Sequence, residues 1–288
     1  MLRTARNLIR LFIIGRTLAR HEALFLLDVH TVGRFVAALA RLTARTDDSV
    51  AGLRPGQRLA LALTALGPTF IKMGQALSTR PDLLGPATTD DLSQLQDRLP
   101  PFSYEDTKRI ITEDFGRPPD QMFQSIEEEP VAAASIAQVH FAVTADGSDV
   151  AVKVLRPGVR DAFSRDVDLL YWLAETMERT QPKLRRLRPI EAVKTFEESV
   201  RIEMDLRFEA AAAEELSENF LDEPRFQIPA IDWPRTSDRV LTLERVSGAR
   251  VKKPEDLFAR GLDPVDIVRT SAEVFFRMVF HHGFFHAD

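Results

Sequence analysis

An α+β fold, with helices at both ends and a small antiparallel sheet between them, is what this sequence predicts. Three observations carry that expectation. The chain has 288 residues, 44% hydrophobic and 28% charged, enough for one or two domains around a buried core. Apolar residues recur at helical spacing up to about residue 116 and again from residue 159. Between residues 122 and 155 the period drops to two, around a turn at Asp146-Gly147. Strands grouped apart from helices argue against an alternating βαβ sheet. There is no internal repeat and no low-complexity linker.

Residues 1–45 read as helix, with Gly15 and Gly33 as weak points, followed by turn chemistry at Thr46-Asp47-Asp48-Ser49 and over 52–56. Helical periodicity resumes over 57–78 and Pro81 ends it. A short helix over 90–98 is stopped by Pro100-Pro101. Ser103 with Asp106 three residues on is a capping-box start, with Asp in place of the usual Glu, for a helix reaching Asp114 and ending at Gly116. Strands follow at 122–126, 138–143 and 150–155, the last two a hairpin closed by Pro157-Gly158. Two long helices at 159–179 and 189–220, a strand at 240–246 ended by Gly248, and a helix over 264–282 stopped by Gly283 complete the reading.

Composition narrows the chemistry. With no cysteine, disulfides, thiolate metal sites and cysteine nucleophiles are excluded. His281, His282 and His286 crowd the carboxyl end, but their spacing matches no familiar zinc pattern, and no metal ligand is assigned in the chain. The net charge of -5 is uneven: up to residue 45, eight arginines face only Glu22 and Asp28, a surplus of six. A basic, apolar-rich amino end on an acidic body points to an anionic surface as partner, with Arg3, Arg6, Arg10 and Arg20 towards phosphates. An ordinary helix packed on the domain is the equal alternative. No aromatic stacking pattern supports nucleic acid, and the apolar runs are too short and too broken by arginine for a membrane span.

The first group that speaks of function is Val150-Ala151-Val152-Lys153-Val154. On a strand the three valines face one side, and Ala151 and Lys153 the other. A lysine so placed beneath a tight loop is how a kinase grips the α- and β-phosphates; alone, a solvent-facing strand lysine is the ordinary reading. Ala132, Ala133, Ala134, Ser135 and Ala137 lie immediately upstream, where a kinase carries its glycine-rich phosphate loop. Alanine allows some backbone closeness but resists the left-handed conformations that glycine permits, so such a loop should hold nucleotide differently. Asp205 and Glu209, at i and i+4, share a face of the 189–220 helix, with Glu203 about 200° away from Asp205 on an ideal helix.

Together with Lys72-Met73-Gly74-Gln75, the alanine-rich loop and the VAVKV strand resemble the UbiB family of atypical kinases over roughly residues 55–288. The resemblance implies a protein-kinase-like fold: a helical amino-terminal extension (1–118) bearing the Lys-x-Gly-Gln element, a kinase-like N-lobe with inserted helices (119–248), and the start of a C-lobe (249–288) that is largely missing. It implies that Lys153 contacts ATP or ADP with magnesium, that Glu209 pairs with Lys153, and that Glu203 and Asp205 meet Lys72 in a regulatory element with Gly74 and Gln75. Glu244 falls on the strand entering the hinge, where backbone groups would hold adenine, and Asp288 falls where the catalytic aspartate stands. The family's later metal ligands and carboxyl-terminal membrane helices do not occur in this sequence, so the expectation is a truncated chain that binds nucleotide with little turnover. The implied role is in ubiquinone (polyprenyl quinone) biosynthesis at the cytoplasmic face of the inner membrane, with the truncated chain held peripherally. Pathway enzymes or polyprenyl lipids would be its partners. A non-catalytic membrane-associated scaffold of ubiquinone-synthesising enzymes is the alternative. A small-molecule phosphotransferase comes third, with Lys72–Gln75 against it.

Overall fold

Glycine, proline and capping residues set the helix boundaries more tightly than the apolar period does. The structure is a computed structural model that describes residues 2–24, 50–93, 95, 99–248, 257–258 and 261–285. Among the described residues the α-helices longer than one or two turns are α1 (Leu2–Arg20), α2 (Pro55–Leu66), α3 (Pro68–Ser78), α4 (Pro86–Ser93), α5 (Tyr104–Phe115), α6 (Val159–Thr180), α7 (Pro189–Glu203), α8 (Leu206–Asn219) and α9 (Pro264–Phe276). The strands are β1 (Phe123–Ile126), β2 (Ala132–Ala133), β3 (Ala137–Thr144), β4 (Asp149–Leu155) and β5 (Val240–Glu244). The chain forms two compact units. One comprises Met1–Phe102, Ala132–Gln138 and Leu155–Met204; the other comprises Ser103–Val131, Val139–Val154 and Asp205–Asp288.

Four boundaries correct the sequence expectations. The helix expected over 57–78 is two helices, because Gly67 sits at φ +104° and Pro68 opens α3; only glycine takes that conformation without strain, and proline suits a first helical turn. The helix expected over 90–98 starts at Pro86, and residues 94 and 96–98 lie outside the described residues. The helix expected over 189–220 breaks at Met204-Asp205. There Asp205 takes an extended backbone and caps α8 through a bond from Arg207 N–H at 3.2 Å. The last helix changes to a π-helix over Arg277–His282 before stopping at Gly283. Residues 25–45 of the first expected helix fall outside the described residues.

The first unit is helical. Leu11, Ile14 and Leu18 of α1 pack with Leu59 and Leu63 of α2, Phe70 and Ile71 of α3, and Leu169 of α6. Fully burying such a side chain contributes about 1.5–3 kcal/mol, against about 0–1 for an exposed ion pair, so the apolar contacts hold the unit together and the ion pairs orient its parts. The long α6 lies against α1, α3 and α7.

In the second unit the strands run in the order β1-β3-β4-β5. β4 and β5 pair antiparallel, with Val150 opposite Glu244 and Lys153 opposite Leu241. Thr144 N–H donates to Ser148 O and Ser148 N–H to the Thr144 hydroxyl, each at 3.0 Å, closing the β3–β4 hairpin. α5 begins at Ser103, whose hydroxyl accepts from Asp106 N–H at 3.2 Å, and ends at Gly116 in the left-handed conformation. It docks on the sheet through Thr107, 3.2 Å from the fully buried His140, and through Asp114, which binds Arg239 and Ser237. Leu216 of α8 and Phe220, which follows it, pack with Val274 of α9 and Met278 in a smaller core. Among the described residues no helix is long and apolar enough to cross a membrane.

Candidate functional site

Strand alternation decides where Lys153 points. Val150, Val152 and Val154 are buried on one face of β4, while Lys153 on the other is half-buried. Its ammonium donates to both carboxylate oxygens of Glu209, at 2.9 and 2.7 Å. Glu209 stands in the first turn of α8, where the helix dipole favours a carboxylate. Both side chains are partly exposed (25% and 50%), so solvent screening leaves the pair worth about 0–1 kcal/mol. That is too little to be a foundation of the fold. It is enough to hold a lysine in one rotamer while leaving its ammonium exchangeable towards another anion.

The segment upstream of Lys153 belongs to the first unit and is braced. Ala134 N–H donates to Ala137 O at 2.7 Å, tightening the turn between β2 and β3. Arg156 grips the carbonyl of Ala134 with Nε and a terminal nitrogen, each at 3.0 Å, and also donates to Pro100 O at 2.8 Å. Gln138 clasps the backbone of Phe102 with both ends of its amide (3.0 and 3.3 Å). Ala132 is exposed and Ala133 and Ala134 half-buried, whereas Ser135 and Ala137 are fully buried and form the inner wall of the turn. Sequence reading assigned no part to Arg156. The available signal was an arginine directly after the lysine strand and next to Pro157-Gly158.

Lys72 meets Glu203 at 2.6 Å, both within the first unit. Gly74, one half-turn on, is buried where α3 crowds Leu63 and Leu95. Gln75 is half-buried, and its carbonyl accepts from Ser78 Oγ at 2.6 Å. Asp205 lies in the second unit; besides capping α8 it takes two hydrogen bonds from the Arg207 guanidinium, at 2.9 and 2.6 Å, which raise the pKa of Arg207 above its ordinary value. The helical-face relation between Asp205 and Glu209 does not hold, because Asp205 is not helical.

Glu244 sits opposite Val150 and shares that residue's face of the sheet, not the face of Lys153. Its N–H donates to Ala230 O at 2.8 Å, and its carboxylate accepts from Ala230 N–H at 3.3 Å. It borders a polar cleft of about 450 Å³ at the hairpin end, with Asp146, Asp149, Asp232 and Arg235. The side chain is therefore engaged at the edge of β5. Asp288 lies outside the described residues.

A family model described as "ABC1 atypical kinase-like domain" matches residues 94–288. The chain belongs to the ABC1 atypical kinase-like family. Its α+β architecture, with a small antiparallel sheet carrying the lysine strand, is the kinase-like one. Among similar proteins named "Probable protein kinase UbiB", that of Marinobacter nauticus is 42% identical over 236 residues, covering 82% of this chain and 43% of the relative. That of Pseudomonas putida is also 42% identical, with 82% and 44% coverage. A solved chain from the Rv3197–erythromycin complex of Mycobacterium tuberculosis is 28% identical, with TM-score 0.48 over 65% of this chain and 49% of that one. The chain thus spans less than half the length of the curated relatives it matches.

Proposed function

We propose that this protein is a nucleotide-dependent atypical kinase or ATPase that supports ubiquinone (polyprenyl quinone) biosynthesis, and that the β4 lysine is its phosphate contact. The observation that carries the reading is the two-pronged hydrogen bonding of Lys153 to Glu209, in a chain whose relatives bear the name protein kinase. ATP or ADP with magnesium would supply the phosphoryl group and its charge. The residues present fit such a ligand: an ammonium on a rigid strand, oriented by a carboxylate and accessible to solvent, with a braced turn of small residues preceding it in sequence. Lys153 would neutralise phosphate oxygens, and Glu209 would keep the lysine extended along the sheet face. Positioning and fixed charge of this kind supply most of phosphoryl-transfer catalysis. Lys72, Gly74, Gln75 and Glu203 would restrain access as a regulatory element, and Asp288 would orient the acceptor.

Calorimetric titration of the chain with Mg-ATP and Mg-ADP tests this. The wild type should bind, and Lys153→Ala should weaken binding by about 10–100-fold, the worth of a hydrogen bond to a charged group. The melting temperature should move little, because the ion pair is half-exposed. Binding that Lys153→Ala leaves unchanged would overturn the assignment, and a folded wild type that ignores both nucleotides would favour the non-catalytic scaffold.

A further inference from the structure

Three arginines of α1 are turned towards acids of their own unit. Arg3 and Arg6 both bind Asp168, at 2.8 and 2.5 Å, and Arg10 holds Asp166 through two bonds of 2.6 and 2.9 Å. Three positive charges of α1 are thus taken up inside the first unit by α6, where Asp166 is buried. Uncompensated charge lies farther along the chain. Residues 180–189 hold Lys183, Arg185, Arg186 and Arg188 and no acid, a run of +4. Among the described residues only Arg188 of these has a carboxylate partner, Glu191 at 2.5 Å. Arg185 donates to the backbone carbonyl of Glu178 at 2.8 Å. All four are exposed.

The run is wound as a 3₁₀ turn, Pro182–Leu187, between α6 and α7. At three residues per turn, side chains three apart eclipse. Lys183 and Arg186 therefore form one edge and Leu184 and Leu187 a second, with Arg185 on the third and Arg188 following it. Leu187 is 54% exposed, an aliphatic side chain left in water between basic edges. Arg188 holds the left-handed conformation at φ +50°, uncommon for a non-glycine residue, directly before the proline that opens α7.

We propose that this turn docks on an anionic lipid surface, with Lys183, Arg185 and Arg186 at headgroup phosphates and Leu187 entering the interface. The charge is complementary to such a surface, and Leu187 would enter the apolar layer beneath the phosphates. A nucleic acid would call for aromatic stacking, and residues 180–190 contain no aromatic side chain. The inference does not rest on the nucleotide reading.

Co-sedimentation of the chain with vesicles tests it. Phosphatidylcholine vesicles should not retain the protein, and vesicles in which a third of the lipid is phosphatidylglycerol should. Each basic residue at an anionic surface is worth about fivefold in partition, so Arg185→Gln/Arg186→Gln should lose about 25-fold. Leu187→Ser should lower partition at unchanged charge while leaving retention on heparin unchanged. Arg3→Gln should leave partition unchanged. Far-ultraviolet circular dichroism and melting of each variant separate loss of binding from loss of fold. Failure of the folded wild type to partition, partition indifferent to the double variant, or partition indifferent to Leu187→Ser would each overturn the proposal. The last result would reduce the turn to a polyanion site.

Discussion

A methyl group added at Gly74 would strike two buried leucines. The Cβ of an alanine there would lie 2.7 Å from Leu63 Cδ1 and 2.8 Å from Leu95 Cδ1, both inside any normal carbon–carbon contact. Two terms oppose each other in Gly74→Ala. Alanine favours a helix interior over glycine by about 0.8–1.0 kcal/mol, whereas overfilling a packed core costs about 1–3 kcal/mol. Leucine methyls are the ends of flexible side chains, which eases the clash. Here, however, two must move at once, and both belong to core residues, 2% and 7% exposed, with no solvent to swing into. The packing term therefore sits in its upper half, and the net effect is a destabilisation of about 1–2 kcal/mol.

For a chain of 288 residues that corresponds to a melting temperature lowered by roughly 2–3 °C, measured by thermal denaturation and checked by urea titration. Gly74→Ala combined with Leu95→Val should cost less than the sum of the single changes, because the second change removes one of the struck methyls. A Gly74→Ala protein as stable as the parent, or more stable by the propensity term, would refute the close-packing account. The glycine of the Lys-x-Gly-Gln element would then need a reason other than the approach of α3 to α2.

Two further predictions concern pH. His140 is fully buried, and burial pushes its pKa below the ordinary 6.5, against the pull of the Glu127 carbonyl 2.8 Å from its ring. Between the two values the unfolded chain binds more protons, so this contribution is complete above about pH 6.5 and is lost as pH falls, with a slope of at most about 1.4 kcal/mol per pH unit. Urea denaturation between pH 7 and pH 5 should show that slope, and His140→Gln should flatten it; an unchanged slope would remove His140 from the account. Glu223 is held at about 2, from an ordinary 4.5, chiefly by hydrogen bonds from the Arg225 side chain at 2.7 and 2.8 Å. Its contribution is present above pH 4.5 and lost on descent towards pH 2, so acid unfolding followed by circular dichroism should be shallower in Glu223→Gln. Equal acid limbs would contradict the pairing.

Much of the sheet was readable because period-two patterning and turn chemistry agree. The Ser103 cap and Gly116 stop of α5, the Asp146-Gly147 hairpin and the placing of Lys153 opposite the valines of β4 each announce themselves within a few residues. What escaped was contact across sequence distance. No local pattern says that Arg156 grips Ala134 O, that Gln138 clasps Phe102, or that Asp166 and Asp168 take up the arginines of α1. The charge surplus of the amino end was a correct count. The pairing of Arg3, Arg6 and Arg10 was not readable, because their acids lie about 160 residues away on α6. Glu244 shows the converse limit: strand parity fixes its face only once the β4–β5 register is known.

The break at Met204-Asp205 is where sequence periodicity misleads most, and it matters for both lysines. On one unbroken helix Glu203 and Glu209, six residues apart, would point about 240° away from each other, and a single core would dictate both directions. The break frees them. Val200 is the buried residue of α7, whereas Leu206, Ala210 and Leu216 set the rotation of α8. Each end is also anchored separately: Arg160 donates to Met204 O at 3.2 and 2.6 Å within the first unit, and Leu206 N–H donates to Asp238 O at 3.0 Å within the second. Neither residue of the break is glycine or proline, so punctuation gave no warning; the available cue was an aspartate able to cap the apolar run beginning at Leu206. Two consecutive helices with independent rotations can therefore offer one glutamate to Lys72 and another to Lys153, which a continuous amphipathic helix of the same composition could not do.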